Sequence, residues 1–352
     1  MADIRVLVVD DSALVRQILS RVLSDAPHIE VVGTARDGVG AIEAVRSLAP
    51  DVVTLDICMP VMDGLEALRR IVRESDARVI MLSSQDDSDT TFKALESGAI
   101  EFISKPREGL ATVAERFGAE LVRAVRTAYA ISPAKREAAP PPDAPLSLVQ
   151  PPEAGDPEHL VVVAASTGGP LALERVFSGL TAEPKVAYLV VQHLPAGFSA
   201  SFAARLSRIA GFPVVEAEVG MRVKGGCGYV APHGTHMRIK GAPGTGARIE
   251  LVDGPTLHGL KPSADPLFES AAKAFGSNVT GVVLTGMGTD GAYGLSVIGQ
   301  AGGQTIAQDE DTSVVWGMPG SAVRLGAARV VAPIDRIAFE VLRTLRNRGV
   351  AS

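Results

Sequence analysis

The chain has 352 residues, 46% of them apolar, 21% charged and 4% aromatic, with a formal net charge of −6. That length suits two domains, and an acidic total carries no overall basic footprint for nucleic acid. The start, MADIRVLVVDDSA, has no basic segment leading into a long apolar one, and no apolar run of about 18 residues follows, so the expectation is a cytoplasmic chain with no secretory signal and no membrane insertion.

In chain order, short apolar runs alternate with helical patterns. Strands are predicted at Arg5–Val9, Ile29–Ala35, Asp51–Leu55, Arg78–Leu82 and Glu101–Ile103. Helices are predicted at Ser12–Ser24, Gly38–Leu48, Gly64–Glu74, Thr90–Gly98 and within Ala111–Tyr129. Five such β–α units predict a doubly wound parallel sheet, with its chemistry at the carboxyl ends of the strands. Eight of the 23 prolines then fall in residues 133–157, a stretch without helical or alternating period that reads as a linker. The expected domains are 1–126, a linker at 127–157, and 158–352. The second domain opens with a strand at His159–Ala165, a helix at Gly169–Leu180, a strand at Lys185–Gln192 and a helix at Pro195–Ile209. His236–Lys240 and Arg248–Val252 flank GAPGTGA as an antiparallel hairpin. A helix at Ala264–Phe275, a strand at Val279–Leu284, a helix at Ala292–Ala301, strands at Gln304–Ala307 and near Arg329–Val331, and a helix at Pro333–Arg346 complete the pattern.

In the first domain the chemistry-bearing residues sit at strand ends. Strand one runs into Asp10 and Asp11, strand three into Asp56, strand four into Ser83 and strand five into Lys105. Three carboxylates at one sheet edge repel unless a cation lies among them, and hard oxygen ligands with room for water suit Mg²⁺. A hydroxyl and an ammonium beside a metal-bound carboxylate are what a phosphoryl group on that carboxylate needs. A solvated acidic loop with a chance Ser and Lys explains any one of these residues more simply, but not all of them at successive strand ends. The motifs VLVVDDSALVR, LDICMPVMDG, MLSS and FISKP resemble two-component receiver domains over about residues 4–126. The resemblance implies a flavodoxin-like five-stranded sheet, with Asp56 the phosphoacceptor for a sensor histidine kinase. It implies Mg²⁺ held by Asp10, Asp11, Asp56 and the backbone carbonyl of Cys58. It further implies that Ser83 and Lys105 sense the phosphoryl group, with Phe102 at the switch-aromatic position. Cys58 stands where related receivers carry Glu; only the backbone there ligates, so metal binding is expected to survive. Its thiol reads as a small apolar filler, and with only Cys227 elsewhere no disulfide framework is expected.

In the second domain, LVVVAASTGGPLALERVF puts Ser166 at a strand end, ahead of Thr167, two glycines and the first-turn Pro170. The helix N-terminus offers backbone N–H groups to an oxyanion. The next strand ends in His193, and GVVLTGMGTDG carries Asp290 on a Gly-rich turn. A Ser, a His and an Asp at one edge of one sheet meet the needs of nucleophile, general base and orienting carboxylate. The order Ser…His…Asp and the absence of G-x-S-x-G separate this pattern from the α/β-hydrolases. A strand-end Ser before Gly-Gly also fits a phosphate loop, although STGGP lacks the Gly spacing of a dinucleotide fingerprint and the Lys of a Walker loop. His233 and His236 have a spacing that could suit a metal, but no third ligand is evident. Trp316 reads as packing near the site, and Asp309, Glu310 and Asp311 as a solvated turn.

AASTGGP, VVQHLP, APHGTHM, PSADPLFESAA, LTGMGTDGA and AQDEDTSVVWGMPGSAV are similar to the catalytic domain of chemotaxis protein-glutamate methylesterases over about residues 159–345. That resemblance implies a mainly parallel α/β sheet with an antiparallel hairpin and no cofactor in this domain. Ser166 would be the nucleophile, His193 the base and Asp290 the His-orienting acid, with Thr167 lining the pocket and the Met287 N–H near the oxyanion. The implied substrate is methylated glutamate on the cytoplasmic helices of chemoreceptors, with glutamine deamidation as a second reaction. The implied switch is an unphosphorylated receiver over the cleft, released by phosphorylation of Asp56. Two other readings stand beside it: a phosphorylation-switched docking module without turnover, and an esterase for a signalling protein outside chemotaxis.

Overall fold

The structure, a computed structural model, describes residues 3–83, 88–105, 114–131 and 155–351. Most of the Pro-rich segment read as a linker, residues 132–154, lies outside these. The chain divides into two compact units, Met1–Pro141 and Pro142–Ser352.

The first unit runs β1 (Ile4–Val9), α1 (Ala13–Ser24), β2 (Ile29–Ala35), α2 (Gly38–Leu48), β3 (Val52–Asp56), α3 (Gly64–Glu74), β4 (Arg78–Ser83), α4 (Ser88–Glu96), β5 (Glu101–Ser104) and α5 (Ala114–Ala130). Its five strands form one parallel sheet in the order β2-β1-β3-β4-β5. The residues of β3 and nearly all of β1 and β4 are buried, as expected for Val- and Leu-rich strands covered on both faces. Ser12, Asp37 and Asp63 cap α1, α2 and α3 by accepting from Val15, Gly40 and Glu66 N–H. The strand order reverses at β1, which opens a crevice at the carboxyl ends of β1 and β3.

The second unit runs β6 (His159–Ala165), α6 (Gly169–Ser178), β7 (Val186–Gln192), α7 (Ser199–Ala210), β8 (Val214–Glu216), β9 (Cys227–Val230), β10 (His236–Lys240), β11 (Arg248–Val252), α8 (Asp265–Phe275), β12 (Val279–Val283), α9 (Ala292–Gln300), β13 (Gln304–Gln308), α10 (Met318–Arg324), β14 (Val330–Ala332) and α11 (Ile334–Asn347). Seven strands make a parallel sheet in the order β14-β13-β12-β6-β7-β9-β8. β10 and β11 pair antiparallel, from His236 opposite Val252 to Lys240 opposite Arg248. The hairpin is tied to α8 where Ile239 N donates to Ser270 Oγ at 3.0 Å. Leu160, Val162, Leu189, Val191, Met237, Ile249, Phe268 and Leu295 belong to one core that joins sheet, hairpin and helices. Here the order reverses at β6, between β12 and β7, so the crevice lies where these three strands end.

Three elements went unread in the sequence. β8 and β9 have three and four residues, too few for an alternation to register; β9 pairs with β7, and β8 pairs with β9 at the edge of the sheet. α10 has only seven residues, too few to show a period, and Gly320 weakens the helical pattern even though Pro319 suits a first turn.

Candidate active site and acidic cluster

In the first unit, Val9 pairs with Leu55, so the residues after each meet at the sheet edge. Carboxylate atoms of Asp10, Asp11 and Asp56 lie within 4.8 Å of one another. Lys105 Nζ sits 2.7 Å from Asp10 Oδ2 and 2.7 Å from Asp56 Oδ1. Ser12 N–H donates to Asp10 Oδ1 at 3.0 Å and fixes that carboxylate. Burial pushes the Asp56 carboxyl up; Lys105 pulls it back, Asp10 and Asp11 add to the rise, and the net result is above the ordinary value. For Lys105 burial works downward, but the Asp56 and Asp10 charges win and hold the ammonium above its ordinary value. Three carboxylates against one ammonium leave an excess of hard anionic oxygen, a donor set that fits Mg²⁺. Gly64 allows α3 to start against the back of this site: a Cβ there would fall 1.9 Å from the Asp56 carbonyl oxygen. Ser83 is buried and accepts from Thr91 Oγ1 at 2.9 Å. Phe102 is buried edge-on to Phe92, with ring centroids 6.1 Å apart. Cys58 is exposed, two residues past Asp56, and not the buried filler its type implied.

In the second unit, Ala165 pairs with Gln192, so Ser166 and His193 follow on adjacent strands. Ser166 N–H donates to Thr285 O at 3.0 Å, and Ser166 O accepts from Gly169 N at 2.7 Å and from Gln192 Nε2 at 2.9 Å. His193 Nε2 lies 2.8 Å from Asp290 Oδ2. Asp290 is fully buried, and its oxygens also accept from Ser263 Oγ at 2.5 Å, Ala264 N at 2.8 Å and Asp265 N at 3.4 Å. Burial pushes this carboxyl up, but the His193 contact and the Ser263 and Ala264 hydrogen bonds outweigh it and hold it below its ordinary value. An ionised carboxylate only accepts, so His193 Nε2 carries the proton. Its other nitrogen, Nδ1, is buried with no hydrogen-bond partner and is left as the basic atom.

The loop after β12 presses on Ser166. Gly286 N donates to Val315 O, and Gly286 O accepts from Gly317 N and Met318 N. A Cβ at Gly286 would meet Met318 Sδ at 2.4 Å and Ser166 Cβ at 2.7 Å. Met287, the next residue, is 42% exposed. Thr167 is buried, and its carbonyl accepts from Thr285 Oγ1 at 3.0 Å. Trp316 Nε1 donates to Gln308 O at 3.3 Å, and Gln308 Oε1 accepts from Thr285 N at 2.8 Å, so the indole braces this loop from behind. Asp309 does more than sit in a solvated turn: its Oδ1 accepts from Thr312 N and Thr312 Oγ1, while Glu310 and Asp311 are exposed.

Both histidines of PHGTH bond to main chain. His233 Nδ1 lies 2.9 Å from Leu194 O; His236 Nδ1 accepts from Ser263 N at 3.1 Å, which leaves Nε2–H to donate to Pro255 O at 2.9 Å. A third histidine, His258, lies 3.0 Å from Asp265 Oδ2, and ligand atoms of His258, Asp265 and Asp290 come within 4.8 Å of one another. The two Asp290 oxygens already accept from four donors and Asp265 Oδ1 from Gly294 N, so this group is a hydrogen-bond network, not a metal cage. Gln192, Ser263 and Thr285 were not singled out in the sequence. The signal for Gln192 was a lone carboxamide ending an otherwise apolar strand, and for Ser263 a polar residue just ahead of α8.

The family profile described as CheB methylesterase matches residues 161–341, and that of the response regulator receiver domain matches residues 6–114. A protein-glutamate methylesterase/protein-glutamine glutaminase of Bdellovibrio bacteriovorus is 43% identical, covering 99% of each chain. One of the same description from Pyrococcus horikoshii is 42% identical over 98% of this chain and 96% of its own. The crystal structure of the Thermotoga maritima CheB methylesterase catalytic domain is similar at 36% identity and a TM-score of 0.50, covering 53% of this chain and 97% of that one.

Proposed function

Because the chain belongs to the CheB methylesterase family, with a response-regulator receiver in front, we propose that it is a phosphorylation-activated protein-glutamate methylesterase and protein-glutamine deamidase of chemotaxis adaptation. One observation carries the chemistry: His193, which follows the strand beside that of Ser166, is held through Nε2 by the buried Asp290 and keeps a buried Nδ1 with no hydrogen-bond partner. In this reading Ser166 Oγ attacks the ester carbonyl of a methylated receptor glutamate while His193 Nδ1 takes its proton. Asp290 keeps the ring oriented and stabilises the imidazolium. Backbone N–H groups near Ser166 and at Met287 receive the oxyanion, and losing one such donor typically costs about 3 kcal/mol of barrier. The C–O bond breaks, and methanol leaves with the proton from His193. Water, deprotonated by the same nitrogen, then splits the acyl-enzyme to glutamate and free Ser166. With glutamine the leaving group is ammonia and the product is the same. Thr167 lines the pocket.

In the receiver, Asp56 takes the phosphoryl group from a sensor histidine kinase. Asp10, Asp11, Asp56 and the Cys58 carbonyl would hold Mg²⁺, which when bound supplies positive charge to the phosphoryl oxygens. Lys105 pairs with one of those oxygens, Ser83 hydrogen-bonds another, and Phe102 reports the change. The receiver is assigned to 1–126, the linker to 127–157 and the catalytic domain to 158–352, so that residues 127–130, the last turn of α5, form the start of that linker. No helix of the described residues is long and apolar enough to cross a membrane, and a cytoplasmic enzyme acting on the cytoplasmic helices of receptors accords with that. A fluorophosphonate probe tests the nucleophile: Ser166 is the expected site of label, and labelling that persists in Ser166→Ala refutes the assignment.

A further inference from the structure

We propose that Gln192 is a positioning residue that ties the backbones of Ser166 and His193 together, an inference that rests on reading those two as nucleophile and base. Gln192 ends β7, is 2% exposed, and follows six residues of VAYLVV that are all buried. Its carboxamide Nε2 has two hydrogens, and each reaches one site residue: Ser166 O at 2.9 Å and His193 O at 3.0 Å. The ladder between β6 and β7 has run out at this point, since Ala165 and Gln192 are its last pair and His193 N to Ala165 O is the last main-chain bond across it. Beyond it, one side chain does the joining.

The orientation of the amide is fixed by its neighbours, because a flip would set Oε1 against two carbonyl oxygens. Oε1 itself is buried and has no partner. Such an acceptor destabilises the fold, and an apolar residue of the same length would remove the penalty while losing the two donors. A carboxamide kept at that disadvantage points to what its N–H groups hold. It also has no room to turn: α6 begins so close that a Cβ on Gly169 would fall 2.0 Å from Oε1. A peptide is planar, so holding Ser166 O fixes the plane of the Ser166–Thr167 peptide and with it the base from which Oγ projects. Holding His193 O from the same nitrogen sets that base relative to the imidazole. Misplacing a reacting group by about 1 Å can cost about 100-fold in rate, so slack at this tie should appear in turnover.

The test uses the full chain with phosphodonor and Mg²⁺, comparing wild type, Gln192→Met and Gln192→Glu. Met keeps length and loses both donors; Glu keeps shape and turns the donor into an acceptor facing two carbonyls. Methanol release gives kcat and KM, a fluorophosphonate gives the labelling rate of Ser166, and a thermal melt gives stability. Expected is a Gln192→Met protein that melts close to wild type, with KM within about twofold and with kcat and labelling each down about tenfold or more. Gln192→Glu should fall at least as far. A folded variant of either kind with kcat within about twofold of wild type overturns the proposal. Loss of the folded state in both variants overturns it too, by making Gln192 a structural residue. Wild type that releases no methanol and takes no label refutes the nucleophile reading beneath it, an outcome distinct from a wild type that turns over and a Gln192→Met that matches it.

Discussion

Adding one methyl group at Gly286 should strike Ser166, the proposed nucleophile, directly. The new Cβ would lie 2.7 Å from Ser166 Cβ, 3.1 Å from Ser166 N and 2.4 Å from Met318 Sδ. Carbon atoms rest at about 3.5 Å or more, so Ser166 or the Gly286–Met287 loop must move by ~0.8 Å. Met318 is fully buried and can yield only in part. A displacement of that size at a reacting group costs about 100-fold in kcat, equivalent to about 2.7 kcal/mol of barrier. Overpacking should also lower stability by about 1–3 kcal/mol. The assay is methanol release by Gly286→Ala, with a thermal melt to verify folding and Gly299→Ala as control. At Gly299, in α9, an added Cβ meets only Thr305 Cγ2 at 3.7 Å, so turnover should be unchanged. A folded Gly286→Ala with near wild-type kcat would show that this loop does not hold Ser166, and the packing argument would fall.

Three further outcomes are expected. Ser263→Ala removes a donor from the buried Asp290 carboxylate and should lower stability by about 1.5–3 kcal/mol at neutral pH, along with kcat. Because Asp290 is held below its ordinary value, its contribution is present above the unfolded carboxyl's range and is lost as pH falls from there through the lowered folded-state value. The gap between wild type and Ser263→Ala in denaturant melts should therefore close at acid pH; a gap independent of pH contradicts the assignment. His159 is lowered to about 3, first by burial and then by the Arg348 charge, while its Nε2 meets Thr280 Oγ1 at 2.9 Å. Unfolded, it takes a proton near its ordinary value, so stability should fall between about pH 6.5 and 3, by about 2 kcal/mol at pH 5, and His159→Gln should flatten that slope. Finally, a fragment starting at Glu158 should hydrolyse receptor esters faster than the unphosphorylated whole chain; equal rates would remove the case for inhibition by the receiver.

Much of this was legible because the chemistry sits where apolar runs stop. Asp10, Asp56, Ser83 and Lys105 each end or follow a buried strand, and parallel pairing of neighbours brings those ends together. Ser166 and His193 are placed in the same way by β6 and β7. Asp290 lies further from its strand, carried by the Gly-rich turn after β12, yet the structure brings it to His193. What the pattern could not carry was the support. Ser263 reaches Asp290 from 27 residues away, and Gln192 looks from its position like one more strand residue. The close approach at Gly286 depends on Val315, Gly317 and Met318 folding back onto the loop, a long-range fact with no local periodicity. Short edge strands such as β8 fail for the opposite reason, since they have too few residues to show any period.

The central claim is tested most directly by methanol release from methylated receptor membranes, with and without a small-molecule phosphodonor and Mg²⁺, for wild type, Ser166→Ala and Asp56→Asn. Release should rise with phosphodonor in wild type, stay at its basal level in Asp56→Asn and vanish in Ser166→Ala. Undiminished release by Ser166→Ala, or no release by wild type under any condition, would contradict it.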